Sequence, residues 1–523
     1  MGHGATSAPS ASSARHGSDD AEAAFDVAKP GNNLSCIMVL MQSKLFDIFV
    51  PLLTWFLITL PVWLSPFHPA LVAYFIIAFN LYFFYKAIKT AYYSVFSYQM
   101  IAVNAGVSYV RKVASLKETK DIHHFVIIPN YKEPLNKLTE TIEALKNASY
   151  SNIHIYLMLA FEEREEEAQE KARILTAKFK KHFKEIMVSY HRMEVGEVVG
   201  KASNQTCAAK LVDDFVVKKS LQRENVLITI CDADSIVPKN YFAYLTYRFI
   251  KDPGRMHHFY WAPVLLYNNF WKLPFFVRMQ ATMSSIIRLS ILPQRSKLIQ
   301  LSTYSTNLWL LKELNFWDVD IIPEDWHIFL QAFFTFGKKV ETIPLYTIIS
   351  GDAVYSGGII KTFKNRYEQE RRWAWGVSDA SYALKRFFQA PWNDTNAKVR
   401  KLLFIMETHL LWPTSFFILT LSAFIPPLIH PSFKRTVLGF LLPKLTSFIL
   451  TMSSLTIVLY VYLDIKLRQK ISSKTEIKRL PFLFIQWYML PVVSFVLSSL
   501  PALDAHTRII LGKKLDYKVT EKV

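Results

Sequence analysis

Apolar and polar positions change their rhythm three times along the chain. Two early runs, 45–65 (LFDIFVPLLTWFLITLPVWLS) and 69–89, stay apolar for the roughly 20 residues that a helix needs to cross a bilayer. The junction Ser65-Pro66-Phe67-His68 is so short that the two read as a tight helical hairpin. Three further runs, near 410–429, 445–463 and 480–503, read as additional spans. Pro481, Pro491 and Pro501 leave room for a broken or re-entrant last segment.

The middle, roughly 105–390, has a different period. Short apolar runs bounded by turn residues, at 124–129 (HFVIIP), 153–160 (IHIYLMLA) and 225–231 (NVLITIC), predict strands buried on both faces. Helical patterns lie between them, at 133–148 and over the charged 162–185, whose acids come early and bases late. This alternation predicts an α/β domain with a doubly wound sheet, inserted between membrane helices. Ligands of such a sheet sit beyond the carboxyl ends of its strands.

Composition agrees with a membrane protein: 51% of residues are hydrophobic and 15% aromatic, in a chain of 523 residues. The net charge of +19 arises from 61 Lys and Arg against 42 Asp and Glu, without a long run of one sign. It implies basic faces near anionic headgroups or an anionic substrate. Nucleic acid is not an expected partner, since no zinc-finger spacing or RNP-like motif is present. Three scattered cysteines, Cys36, Cys207 and Cys231, argue against a disulfide framework and for a reducing compartment.

The basic 464–479 segment and the uncharged hairpin turn place the middle domain in the cytosol by the positive-inside rule. One feature conflicts with five full crossings. The tail over 504–523 would then lie outside, although it carries Arg508, Lys513, Lys514, Lys518 and Lys522. The start, MGHGAT, fits a loose myristoylation pattern, which is read as chance.

Chemistry concentrates where strands end. The run 225–231 leads into Asp232-Ala233-Asp234, and two carboxylates on such a turn can hold a divalent cation beside a diphosphate. Oxygen ligands without His or Cys favour Mg²⁺ or Mn²⁺. An isolated pair of this kind is more often a solvated acidic turn. The run 124–129 ends in Pro129-Asn130-Tyr131-Lys132-Glu133-Pro134, a loop fixed by proline at each end. Lys201, after Gly200, could bring an ammonium to a phosphate or be an ordinary surface lysine.

Glu324 and Asp325 precede an apolar helix, where an acidic pair is either an N-terminal cap or a general base set against Trp326, Phe329 and Phe333. His327 reads as structural. In the stretch RYEQERRWAWG, helical spacing puts Gln369, Arg372 and Trp373 on one face, offering an amide, a guanidinium fork and a π surface. Residues 270–292 are either an interfacial helix, with Lys272, Arg278 and Arg288 toward headgroups, or a buried domain helix. Glu407 and His409 either line a polar path or mark the interfacial end of a helix.

The DxD at Asp232 and Asp234, the ED pair at Glu324 and Asp325 and the QxxRW at Gln369, Arg372 and Trp373 stand in this order between membrane segments. Together they resemble the membrane-embedded family 2 glycosyltransferases, such as the cellulose, chitin and hyaluronan synthases, over roughly 120–500. The resemblance implies a GT-A-like, nucleotide-sugar-binding domain and an inverting transfer from a UDP-sugar with Mg²⁺ or Mn²⁺. It implies that Asp232 and Asp234 contact the diphosphate and its metal, that Lys201, Tyr131, Glu133 and Arg372 contact the nucleotide sugar, and that Asp325, beside Glu324, deprotonates the acceptor. Trp373 and Gln369 would meet the acceptor sugar. The family's acidic residue after its second strand is replaced by Glu162-Glu163, of which Glu163 is taken as a nucleotide-sugar contact, and Pro323 stands where Thr or Val is usual.

The expected organisation is a disordered tail over 1–33, two membrane helices and a linker over 34–104, and a cytosolic catalytic domain over 105–379. Interfacial helices over 380–409, about three membrane segments over 410–503 and a basic tail over 504–523 follow. The expected activity is processive extension of a polysaccharide coupled to export, at the plasma membrane or, in a eukaryote, the Golgi or ER. The alternatives are a single transfer to a lipid acceptor and a non-catalytic membrane scaffold or export partner. Sugar identity, linkage, processivity and oligomeric state are not written in the sequence.

Overall fold

The computed structural model describes residues 33–148, 155–389, 393–468, 483, 485–513 and 515, with side chains from Lys44 onward. The tail before Asn33, the basic loop past Arg468, Pro481 and most of the C-terminal tail lie outside these residues. The chain divides after Leu45 into two units. The described part of the first is the opening of the helix Asn33–Leu64. The second unit, from Phe46, carries everything that follows.

Its centre is a seven-stranded mixed sheet. The strands are β1 (His123–Pro129), β2 (Ile155–Glu162), β3 (Glu185–His191), β4 (Val226–Ile230), β5 (Phe259–Trp261), β7 (Tyr304–Asn307) and β8 (Thr342–Pro344), in the order β3-β2-β1-β4-β7-β5-β8. A separate pair joins β6 (Val264–Leu265) to β9 (Ile349–Ser350). β3, β2, β1 and β4 run parallel, whereas β7 is antiparallel to both β4 and β5. Side chains alternate across the sheet, so Phe125 and Ile127 join one core and Val126 and Ile128 the other. That two-sided burial is why these strands read as continuous apolar runs. Strand order reverses at β1, and the crevice beyond β1 and β4 is the switch point where such sheets bind ligands.

Two local expectations change and one open choice narrows. The helix expected over 162–185 is shorter, Ala168–Phe179, and Glu185–His191 is an edge strand whose exposed polar side chains hid its period. The helix Phe275–Ile291, for which the sequence leaves interfacial and buried positions both open, is largely buried and packs against the helix Pro69–Ala105; Arg278 donates to Gln486 (3.2 Å) and Arg288 to the Val264 carbonyl (2.7 Å). The end of the segment expected as interfacial is one helix with the start of an expected span, Thr395–Thr420, in which Lys398, Arg400 and Lys401 lower the hydropathy of the first turns.

Among the described residues, five helices are long and apolar enough to cross a membrane: Lys44–Leu64, Pro69–Ala105, Thr395–Thr420, Val437–Leu467 and Gln486–Ile510. They expose Trp55, Phe56, Leu71, Phe440, Phe448 and Val458, a surface suited to lipid. The last helix extends seven residues past the expected boundary at 503, so the basic tail begins after it. It contains a π-helical turn, Phe495–Ser499, just before Pro501, which has no N–H to donate to the regular ladder.

Candidate active site

A cavity of about 1390 Å³ opens at the switch point and continues among the long apolar helices. Drug-sized pockets run to about 300–1,000 Å³, so this one has room for more than a nucleotide sugar. Asp232, Asp234, Lys201, Tyr131, Glu133, Glu324, Asp325, Gln369, Arg372 and Trp373 all line it. Glu163 does not. It sits in the turn just past β2, facing Arg192 (3.8 Å), and the last residue of that strand, buried Glu162, lines the cavity.

The acidic turn is built by the chain around it. The Asp232 amide donates to Thr303 Oγ1 (3.1 Å) and the Ser235 amide to the Asp232 carbonyl (2.9 Å). Asp232 Oδ1 lies 2.6 Å from Lys201 Nζ, and its other oxygen accepts from the Ser302 hydroxyl. Lys201 also reaches Glu324 at 3.2 Å. Burial works against the Lys201 charge, but the carboxylates of Asp232 and Glu324 outweigh it and hold the amine protonated well above its ordinary range. Asp234 Oδ2 accepts from the Asp352 amide (3.1 Å), and the Asp352 carboxylate is paired with Lys137 (2.9 Å).

Among the described residues no group of three His, Cys, Asp or Glu is arranged to hold a metal ion. Asp232 and Asp234 nonetheless fit Mg²⁺ or Mn²⁺, which bind through one or two carboxylates and complete their shell with phosphate oxygens and water.

Asp325 opens the helix Glu324–Phe336. One of its oxygens accepts from the Ser302 amide and the other from the Trp326 amide, each at 2.8 Å. Burial and the neighbouring Glu324 charge push its pKa up to about 7, against the opposing pull of those amides and Lys201. A carboxylate so poised is suited to accept a proton near neutral pH. His327 on the same helix faces away, bonded to Asp379 (2.8 Å) and Asp318 (2.9 Å), and is structural as expected. Burial opposes its charge, yet the two carboxylates raise its pKa to about 9.

The loop after β1 is braced by Glu165, which accepts from the Lys132 amide (2.8 Å) and pairs with Lys171 (2.7 Å). Lys132 sits at φ 60, a left-handed conformation that this bond supports. The Arg164 guanidinium stacks 4.2 Å from the Tyr131 ring centre. Deeper in, Gln369 accepts from buried Arg366, which also pairs with Glu370. Arg366 lies 4.6 Å and Arg288 5.7 Å from the centre of the Trp373 ring, fixing the plane of the indole.

Beyond Trp373, one face of the helix Thr395–Thr420 forms the wall, with Phe404, Thr408, Trp412, Ser415, Phe416 and Thr420 at successive turns. Thr408 and Ser415 donate to carbonyls four residues earlier (2.9 and 2.6 Å), which leaves hydroxyl lone pairs for the cavity. The π-helical turn presents Ser498 and Ser499 to Trp412, whose indole donates to Ser498 (2.9 Å). Glu407 ties this helix to Lys86, Tyr82 (2.6 Å) and Lys297 (3.1 Å), so it anchors elements and does not itself line the cavity.

Ser302, Thr303, Asp352 and Lys137 escaped the sequence reading. LSTYSTN is a buried strand entry with polar alternation, and GDAVYSGG has no period, so neither stood out. The one available signal was that a small, polar run follows an apolar one at the level of the acidic turn.

Solved structures similar to this chain include the mannosyltransferase PcManGT from Pyrobaculum calidifontis in complex with GDP-Man and Mn²⁺, at 10% identity over 84% of this chain and 100% of that chain, TM-score 0.40. S. aureus TarS 1-349 in complex with UDP-GlcNAc is similar at 11% identity over 76% of this chain and 94% of that one, TM-score 0.34. GalNAc-T7 with UDP, GalNAc and Mn²⁺ is similar at 14% identity over 56% of each chain, TM-score 0.33. No curated protein matches the chain. Residues 227–463 match the model of glycosyl transferase family group 2, a segment that holds the DxD, ED and QxxRW residues in the wall of one cavity.

Proposed function

We propose that this protein is a membrane-bound inverting glycosyltransferase that moves a sugar from a nucleotide sugar, a UDP-sugar first among candidates, to a growing polysaccharide and passes the product through the bilayer. The family match over 227–463 supports the transfer chemistry. The observation that carries the rest is one continuous cavity, running from Asp232 past Asp325 and Trp373 to a wall of aromatic rings and hydroxyls among membrane helices. Such a wall suits sugar rings, which have apolar faces and hydroxyl edges.

In this reading the Asp325 carboxylate takes the proton of the acceptor hydroxyl as its oxygen attacks the anomeric carbon. The bond to the diphosphate breaks on the opposite face. Lys201 and Arg372 hold the departing charge, and Trp373 seats the acceptor. A divalent cation bound at Asp232 and Asp234 would add charge neutralisation at the diphosphate.

A second reading, single transfer to a lipid, gains support from the apolar residues Phe79, Phe83, Ile287 and Ile291 in the same wall, beside Lys86 and Lys297. Sizing radiolabelled product made by membranes of expressing cells separates the two. A ladder or high-mass polymer is expected, and a single small lipid-soluble product would replace the processive reading.

A further inference from the structure

His409 is a buried titratable side chain that the proposed chemistry leaves unused. It is 4% exposed and lines the cavity, and neither ring nitrogen has a hydrogen-bond partner among the described residues. The indole nitrogen of Trp326 is in the same position: buried, in the cavity wall, without a hydrogen-bond partner. The two rings meet edge to face at 6.0 Å, one residue along from Asp325. Gly376 makes room for the imidazole, since a Cβ there would lie 3.3 Å from His409 Cε1 and 3.0 Å from the Trp373 carbonyl.

Two adjacent buried polar groups without partners are unusual in a folded chain, where such groups are nearly all satisfied. Their chemistry defines what would satisfy them. A neutral imidazole brings one donor and one acceptor, and an indole brings one donor. A phosphate accepts only and would leave the imidazole acceptor unpaired, whereas a hydroxyl both donates and accepts. The place is also specific. It lies between the Asp325 carboxylate and the membrane part of the cavity, where Trp412 continues the wall.

We propose that His409 and Trp326 form the binding site for the hydroxyls of the acceptor's terminal sugar, holding that sugar at the junction between the catalytic centre and the membrane part of the cavity. This rests on the glycosyltransferase reading above and assigns its acceptor to the hydroxyl-bearing class. His409 binds the acceptor and takes no part in donor binding. Its loss therefore lowers transfer to the acceptor and leaves nucleotide binding in place.

The test uses the full-length protein in membranes of expressing cells, supplied with a panel of radiolabelled UDP- and GDP-sugars. Label is partitioned between glycosylated product and free sugar. His409→Leu is expected to lower the share of supplied label found in product tenfold or more while nucleotide binding holds. Because it removes an unsatisfied buried polar group, its melting temperature should equal or exceed that of the native protein. His409→Asn, which keeps a donor and an acceptor, should recover part of the product share. An unchanged product share in His409→Leu overturns the inference and leaves the glycosyltransferase reading standing. Loss of nucleotide binding together with a lower melting temperature overturns it too, by making His409 a structural residue. If the native protein turns over no nucleotide sugar, the functional reading fails and the inference falls with it.

Discussion

Lys201 Nζ lies 2.6 Å from Asp232 Oδ1, so the ammonium and the acidic turn expected to meet a diphosphate already neutralise one another. A diphosphate and its cation would insert into that pair, with Lys201 turning to phosphate and Asp232 to metal. Lys201→Ala is expected to reduce turnover by about 10²-fold, the scale seen when one preorganised donor to a developing charge is removed. Nucleotide binding by calorimetry should weaken in parallel, and a variant with native affinity would remove Lys201 from the donor site.

Asp325, with its pKa pushed up to about 7, gives opposite predictions for rate and stability. As a general base it works deprotonated, so kcat/KM should rise with pH through about 7 and then level. As a buried acid whose folded pKa lies above its unfolded one, its contribution to stability is fully present below about pH 4 and is lost as pH rises through about 7. Asp325→Asn should lower activity by about 10²–10⁴-fold. The same variant should melt higher than the native protein at pH 8, with the difference shrinking toward pH 4. A variant that is both inactive and less stable at pH 8 would contradict the account.

His327 bridges Asp379 and Asp318, and its folded pKa of about 9 stands above its unfolded value. Its stabilisation is therefore complete below about pH 6.5 and is lost as pH rises through 9. His327→Ala leaves Asp379 buried beside no cation, a loss of about 3–5 kcal/mol for a broken buried pair. Thermal melts at pH 6 should show the full deficit, and melts above pH 9 a smaller one. Equal deficits at both would show that the histidine acts by packing alone.

Both ends of the last apolar helix are held by the α/β domain. Gln486 accepts from Arg278 (3.2 Å) and Asp504 pairs with Arg371 (3.0 Å), and the helices bearing these arginines are joined through Gln280 and Glu370. The 18 residues between those positions cover about 27 Å of helix, enough to separate its ends across a bilayer if it stood upright. Held at both ends, the helix is expected to lie along the domain side, leaving four crossings and a basic tail on that side. A cysteine at Gly512 should then react with impermeant maleimide only when the domain face is open to reagent. A cysteine at Ser432, between the third and fourth apolar helices, should show the reverse. Labelling of both from one side would refute this topology.

Much of this architecture was legible in the sequence because its signals are periodic. The strands of the switch point are apolar on both faces, and the spans are apolar for about 20 residues. The QxxRW residues share a helical face whose spacing alone brings them together. What escaped was long-range. Ser302 and Asp352 reach the site through chain reversals, and no local pattern announces a residue whose partner is 70 or more positions away. Of the pair Glu162-Glu163, the first lies in the cavity wall and the second in the turn after the strand, a one-residue difference that the sequence pattern does not resolve. The Arg278 and Arg288 guanidiniums looked superficial because charge usually is, but tertiary partners had replaced their water.

The central claim is nucleotide-sugar transfer at Asp232, Asp234 and Asp325, and its most direct test is nucleotide diphosphate release by the purified protein in lipid nanodiscs. A panel of UDP- and GDP-sugars would be run with Mg²⁺ or Mn²⁺, beside a chelated sample and Asp325→Asn. The account predicts release with a defined donor, lost on chelation and in the variant. Release that persists undiminished in Asp325→Asn, or silence with every donor in membranes that retain their native acceptors, would contradict it.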